Sequence, residues 1–311
     1  MEKKMFTGKT HIYLMISAAI IAVALIMSVF GMGMNLGIDF TGGSLLKYEM
    51  GADFDVNVVE AALVEAGINE SQIAKSGTGE VKTELQIRTK DLGENADDMR
   101  VAFEEKLEAS YPDATFITID TVGAVAGKDL IYNAVMSCLI VFVCLLIYIA
   151  IRFDFNSGLA ALVALAHDIL IMISLMVFTR GLYQVNSPFI AALLTIIGYS
   201  INNTIIIFDR IRENNRLLDY KEGSRQVVVE VSVRQTLTRT INTTITTLIT
   251  LVVLYILGVS SIREFTFPLI VGILAGVYSS VLLSGQIWAF WMDRKSFAFI
   301  TNLFTKKAKK A

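Results

Sequence analysis

Residue types that often carry catalytic chemistry are scarce in this chain. Its 311 residues include only two cysteines and two histidines, too few and too scattered for a zinc site. Cys138 and Cys144 lie in one apolar run but do not share a helix face, so we interpret both as packing residues. The acidic segment 37–129 contains no cysteine, so no disulfide stabilises it. These absences argue against an enzyme and against a bound metal.

Proline is scarce as well, while apolar residues are abundant. Three prolines in 311 residues favour long unbroken helices. The chain is 54% hydrophobic with a mean hydropathy of +0.59, which is unusual for a soluble globular protein. Crossing a bilayer takes about 20 apolar residues. The sequence predicts a polytopic α-helical membrane protein with six spans, at about 12–33, 130–151, 158–179, 186–208, 237–257 and 266–291.

Lysine and arginine concentrate on one side of these predicted spans. They occur before the first span, at Arg152, throughout the connection between spans four and five, and in the closing "KKAKK". Because positive residues mark cytoplasmic loops, both termini are expected inside and the segment 37–129 outside. The first span follows a basic start without an obvious cleavage site, so we interpret it as a retained anchor.

The outer segment has its own pattern of strands and helices. "SLLKYEM", "SQIAKSG", "TELQIRT" and "ATFITIDTV" are typical of strands, and two amphipathic stretches are typical of helices, the second with Asn95 as a candidate cap. The order β-α-β-β-α-β predicts an α+β ferredoxin-like domain. The predicted domains are 1–36, the outer domain 37–129, the five-span region 130–292 with an inner amphipathic connection at 209–235, and the basic tail 293–311.

Polar and ionisable residues interrupt three predicted spans. Asp168 lies near the middle of span three, where a carboxylate marks either an ion path or a paired structural site; His167 points elsewhere and is the weaker candidate. Asn202 and Asn203 occur in span four, where neither amide can exchange a proton. Span five carries a polar stripe, listed here in full: Arg239, Asn242, Thr243, Thr246, Thr247 and Thr250. This stripe is explained equally well by helix packing and by a positive group that meets a neighbouring carboxylate.

Five stretches together resemble the SecD/SecF family of protein-export membrane proteins, within the resistance-nodulation-division (RND) superfamily. They are "GIDFTGG" at 37–43, "VGAVAGKDL" at 122–130, "GLAALVALAHDILI" at 158–171, "IGYSINNTIIIFDRIREN" at 197–214 and "RQTLTRTINTT" at 234–244. The resemblance covers nearly the whole chain and is closest to SecF subunits. It implies half of an RND-type transporter, placed in a bacterial plasma membrane.

The resemblance also implies partners and a mechanism. Expected partners are SecD, the SecY–SecE–SecG channel, YajC, preprotein substrates and membrane lipid, with no nucleic acid. A proton or sodium gradient supplies the energy, and no cofactor is expected. The implied ion-path residues are Asp168, Asn203 and Arg239, supported by Asn202 and Thr243. Gly42 and Gly43 are expected to form part of the joint to the outer domain, because glycine admits backbone angles that other residues resist.

Two positions depart from the family pattern. Ala124 stands where the usual "VGP" has proline, so a softer hinge is expected there. The usual motif in span four reads "GYSINDT", whereas this chain has Asn203 in place of the aspartate. The ion path then relies on Asp168 and on SecD carboxylates, or it carries sodium, which amide and hydroxyl oxygens suit. Alternatively the chain is an uncoupled scaffold subunit. An engineered substitution would give the same sequence.

Two other classes of function compete with protein export. A stand-alone RND-like exporter of lipid or small molecules needs larger porter domains than the outer segment offers. An intramembrane aspartyl protease needs two membrane carboxylates, and the predicted spans supply one, Asp168. Both are therefore weaker interpretations than an export subunit.

Overall fold

A computed structural model describes residues 7–68, 71–76, 83–90, 92–93, 96–217 and 225–293. Within these ranges the elements follow one another as α1 (Thr10–Val29), α2 (Ile38–Thr41), β1 (Gly43–Glu49), α3 (Val56–Glu65), β2 (Ser71–Ser76), β3 (Glu84–Thr89), α4 (Ala96–Glu108), β4 (Thr115–Val122), α5 (Ala124–Arg152), α6 (Phe155–Phe178), α7 (Ser187–Leu217), α8 (Arg225–Leu257), α9 (Ser260–Ser279) and α10 (Gly285–Asp293).

The six predicted membrane spans are confirmed. The described part of the chain has six segments long and apolar enough to cross a bilayer: Thr10–Val29, Val125–Arg152, Phe155–Phe178, Ser187–Leu217, Arg225–Leu257 and Ser261–Met292. The last of them contains α9, a π-helical turn at Ser280–Ser284, and α10. The chain is therefore a multi-pass membrane protein. We call the end of the bundle next to the sheet, where α1 ends and α5 begins, the sheet end. The opposite end, where α1 begins and α10 ends, is the termini end.

The outer domain is the predicted β-α-β-β-α-β unit. Its antiparallel sheet has the strand order β2-β3-β1-β4, which is the ferredoxin-like arrangement. Asp55 caps α3 by accepting from the Asn57 amide. Alternating apolar side chains of the strands meet α3 and α4 in a core that includes Leu46, Leu85 and Phe103. The proposed cap Asn95 lies outside the described residues.

Helix α9 is the centre of the membrane domain. In its span 67% of the most apolar window is buried, against 6% for α5, so α5 lies at the periphery. Glycines allow the close approach of α7: a Cβ at Gly272 would fall 2.1 Å from the Ile196 side chain, and one at Gly276 would fall 3.1 Å from Ser200. This packing fixes which face of α7 points into the bundle.

The charged connection predicted at 209–235 is built differently from a layer on the membrane surface. Its described parts continue α7 to Leu217 and begin α8 at Arg225. Asn214 holds the two extensions together by donating to Ser232 Oγ and Gln235 Oε1, both at 2.8 Å. These continuations pack within the bundle at the termini end, where Ile211 of α7 and Val228 and Val233 of α8 are buried in the same core as Trp288.

Candidate functional site

Asp168 lies at the centre of a closed polar network. Its carboxylate is fully buried and accepts hydrogen bonds from Ser200 Oγ at 2.5 Å and Ser279 Oγ at 2.9 Å. His167 Nδ1 lies 3.0 Å from the second carboxylate oxygen. The network thus joins α6 to α7 and α9, with Ser279 next to the π-helical turn at Ser280–Ser284. Such turns occur often at functional sites.

His167 extends this network to the first helix. Its Nε2 lies 2.8 Å from Ser17 Oγ, and its ring stacks on Tyr278 with centroids 5.8 Å apart. The Tyr278 hydroxyl in turn donates to the Tyr13 carbonyl at 2.8 Å. The sequence analysis gave His167 a minor role and did not select Ser17, Tyr278 or Ser279. The only available signal was that Ser17 is a polar residue within an apolar span.

Asn203 is buried and has no hydrogen-bond partner for its side chain in the described part of the structure. It is 1% exposed, and neither its amide oxygen nor its amide nitrogen has a hydrogen-bond partner among the described residues. Thr240 on the neighbouring α8 is fully buried, and its hydroxyl likewise lacks a partner within the described ranges. Buried polar groups in native proteins are nearly always paired, so these two groups need an explanation. The sequence analysis did not select Thr240.

Arg239 and Asn202 lie on the outside of the bundle. Both are exposed, and the structure places no ion pair between Arg239 and Asp168 in the part of the chain it describes. Thr243 is also exposed; its hydroxyl bonds the Arg239 carbonyl at 2.9 Å, and its own carbonyl accepts from Tyr199 at 3.1 Å. The predicted ion-path residues are therefore divided between the interior, which holds Asp168 and Asn203, and the surface.

Arg239 lines a charged cavity of about 600 Å³ between α5, α7 and α8. Asp209 and Glu213 of α7 also line it. Arg152 lies 3.8 Å from Asp209, and Arg210 pairs with Glu213 at 2.5 Å. Charged side chains of α5, α7 and α8 therefore meet at this cavity.

The base of the outer domain is tied to the loop before α7. Asp39 Oδ2 accepts from the Ser187 amide at 2.7 Å and from its hydroxyl, which caps the first turn of α7. Gly37 donates to the Val185 carbonyl at 2.8 Å. A Cβ on Gly37 would fall 1.4 Å from Asn186 Oδ1, so a larger residue here would have to displace the Asn186 side chain, which donates to Glu264 at 2.8 Å.

Gly42 and Gly43 follow directly, both with positive φ, at 73° and 121°. A Cβ at Gly43 would fall 2.4 Å from the Thr89 carbonyl. Arg88 of β3 donates a hydrogen bond to the Leu36 carbonyl at 2.6 Å. Burial of this guanidinium lowers the pKa of Arg88. The two glycines are required by a fixed geometry, and their role as a joint stays a prediction.

Comparison with known proteins accounts for this combination of sheet, glycine-rich base and six helices. The family described as "Protein export membrane protein SecD/SecF, C-terminal" matches residues 102–294, and the "SecD/SecF GG Motif" matches residues 28–52. The chain belongs to the SecD/SecF family. The GG motif match covers the base of the outer domain, from the end of α1 through Gly42 and Gly43 into β1.

Individual relatives agree with this assignment. The chain is 36% identical to "Protein translocase subunit SecF" of Desulfurispirillum indicum, covering 90% of this chain and 88% of the relative. It is 37% identical to the SecF of Sebaldella termitidis, covering 89% and 88%. Against "Protein translocase subunit SecDF" of Thermus thermophilus it is 36% identical over 86% of this chain but only 36% of the relative.

Two solved structures share the fold. SecDF from Thermus thermophilus, described as a translocon-associated membrane protein, matches with a TM-score of 0.82 at 34% identity, covering 93% of this chain and 39% of that chain. SecDF in a "Super-membrane-facing form" matches with a TM-score of 0.65 at the same identity, covering 98% and 40%. The chain spans well under half the length of both SecDF structures.

Proposed function

We propose that the chain is a SecF-type subunit that assists preprotein export beside the SecY–SecE–SecG channel, in a non-catalytic role and with both termini in the cytoplasm of a bacterium. The role follows from membership of a protein-export family and from relatives named as translocase subunits. Since SecDF relatives are longer than this chain, their additional part is the natural counterpart of a separate SecD chain.

The exposed polar face of α7 and α8 carries the proposal that SecD packs there. Asn202, Arg239 and Asn242 are all exposed at the surface of a membrane bundle. Polar and charged side chains facing lipid are costly, so such residues normally face protein or water. A second helical subunit on this face would cover the stripe and close one side of the charged cavity.

The unpartnered pair Asn203 and Thr240 carries the proposal of ion coupling. Carbonyl and hydroxyl oxygens are ligands for a hard cation, and neither residue titrates near neutral pH. We propose that this buried site, completed by SecD, takes part in sodium-coupled movement and that Asp168 holds the bundle together.

The test replaces a resident SecD/SecF pair with this chain and its cognate SecD, and measures export of a reporter preprotein. We expect collapse of the sodium gradient to slow export and collapse of the proton gradient to leave it unchanged. The Asn203→Asp variant should gain a response to the proton gradient, because a carboxyl group can release its proton. If collapse of either gradient leaves the export rate unchanged in both variants, ion coupling is rejected and a scaffold role remains. Failure to associate with SecD would reject the subunit assignment itself.

A further inference from the structure

A second cavity lies at the termini end, away from the polar networks described above. It has a volume of about 450 Å³, within the range of roughly 300–1,000 Å³ typical of ligand pockets. Its lining comes from α1, α6, α8 and α10, and its apolar part consists of Leu14, Val163, Ile287, Phe290 and Trp291. Leu14, Val163 and Phe290 are all exposed, so the cavity opens sideways towards lipid.

Gln286 is a buried polar residue in the lining of this cavity. Gln286 lines the cavity and is 6% exposed, yet its Oε1 and Nε2 have no hydrogen-bond partner in the described part of the chain. An amide buried in this way calls for an acceptor and a donor beyond those that the described residues supply. An acyl chain alone offers neither.

Two basic residues directly precede residues of the cavity lining. Lys9 comes before Thr10, and Arg225 comes before Gln226. Arg225 is held at this end by donating to the Met292 carbonyl at 2.5 Å. Basic residues near a membrane surface attract anionic lipid.

We propose that this cavity binds an anionic phospholipid of the leaflet at the termini end. The Gln286 amide bonds the glycerol-ester and headgroup region, Lys9 and Arg225 face the phosphate, and an acyl chain covers Leu14 and Phe290. The combination of an unpartnered buried amide, an apolar wall open to lipid and flanking cations fits no purely apolar ligand. The site is independent of the proposed ion path.

The two tryptophans of the chain allow a direct test. Trp288 is buried and its Nε1 lacks a partner among the described residues, so Trp288→Phe leaves Trp291 as the only tryptophan without removing a hydrogen bond seen within the described ranges. In detergent micelles, brominated phosphatidylglycerol and brominated phosphatidylcholine are titrated separately and quenching of Trp291 is measured with selective excitation of tryptophan. We expect saturable quenching, with half-saturation by phosphatidylglycerol at about 25-fold lower mole fraction, because each of two basic residues near an anionic headgroup would give about a fivefold preference.

Three further variants separate the site from ordinary lipid contact. Gln286→Leu should weaken the saturable binding of both lipids, because they share the glycerol-ester region that its amide contacts, and Val163→Phe, which fills the cavity, should remove the saturable phase. Leu274→Phe, at an exposed position on α9 that does not line the cavity, should change neither. Equal, unsaturable quenching by the two lipids overturns the proposal. So does a saturable phase that survives Val163→Phe.

Discussion

Asp168 and Asn203 are both buried in the same bundle, but their hydrogen bonding differs. Ser200 of α7 donates to Asp168, and Asn203 lies one helical turn further along α7, about 4.5 Å away along its axis. Asp168 has three side-chain partners, whereas Asn203 has none among the described residues. Asp168 therefore supplies hydrogen bonds that link α6 to α7 and α9, whereas Asn203 forms no side-chain hydrogen bond within the described residues.

The largest expected effect comes from Asp168→Leu. This change leaves the buried donors of Ser200, Ser279 and His167 without their acceptor, and each unpaired buried group costs about 1–3 kcal/mol. We expect a marked fall in the melting temperature of the purified chain in detergent. An unchanged melting temperature would show that the network is not what holds α6, α7 and α9 together.

Asn203→Leu should give the opposite result for stability. An apolar side chain of similar size removes two unpaired polar atoms and breaks no bond within the described structure, so the free energy of unfolding should stay level or rise. Export driven by an ion gradient should nevertheless be lost. A large drop in stability would mean that Asn203 has a structural partner, and the contrast with Asp168 would disappear.

A matched pair of threonines on α8 sharpens the comparison. Thr236 donates to the Ser232 carbonyl at 2.9 Å, while the Thr240 hydroxyl has no partner in the described ranges. Thr236→Val should therefore lower the free energy of unfolding by about 0.5–1.5 kcal/mol, and Thr240→Val should not. Thermal unfolding of the two variants measures this difference directly. If Thr240→Val alone impairs export, the threonine belongs to the ion path.

The smallest effect concerns an exposed ion pair on the outer domain. A hydrogen bond from Lys75 at 2.5 Å is the main cause that lowers the pKa of Asp53. The stability from this pair is present above the unfolded pKa of about 3.9 and is lost as pH falls through the lower folded value. Lys75→Met should raise the Asp53 pKa in an NMR titration of the full chain while barely changing the melting temperature. A large change would contradict the weak contribution expected of surface pairs.

The fold could be predicted because its signals are local. Hydropathy and periodicity identify the six spans and the β-α-β-β-α-β order without any knowledge of long-range contacts. The short helix α2 was not predicted. The continuation of α7 past position 208 and the start of α8 before position 237, outside the predicted spans, were not predicted either. A four-residue turn gives little periodic signal, and a charged amphipathic stretch is equally compatible with a surface helix.

The site was only partly predictable, because the rotation of each helix depends on its neighbours. Asp168 and Asn203 were selected as polar residues in apolar spans, but nothing local indicates that Ser17 and Ser279 reach the Asp168–His167 pair. The close approach of Gly276 to Ser200 turns Ser200 towards Asp168. Arg239 was grouped with Asp168 through family resemblance, and only the packed bundle shows it on the outer face.

The contact between Asp39 and Ser187 links the first turn of α7 directly to the base of the outer domain. The helix has 31 residues, so it is about 46 Å long, and Asn203 lies about 24 Å from the capped first turn. A helix transmits a shift along its axis with little bending, and its upper end is fixed to the root of β1 by a carboxylate instead of a free loop. If α7 moved along its axis at the depth of Asn203, the Asp39 contact would pass that movement to the outer domain. The Ile196 side chain fills the space beside Gly272 of α9, so such a movement would have to displace it.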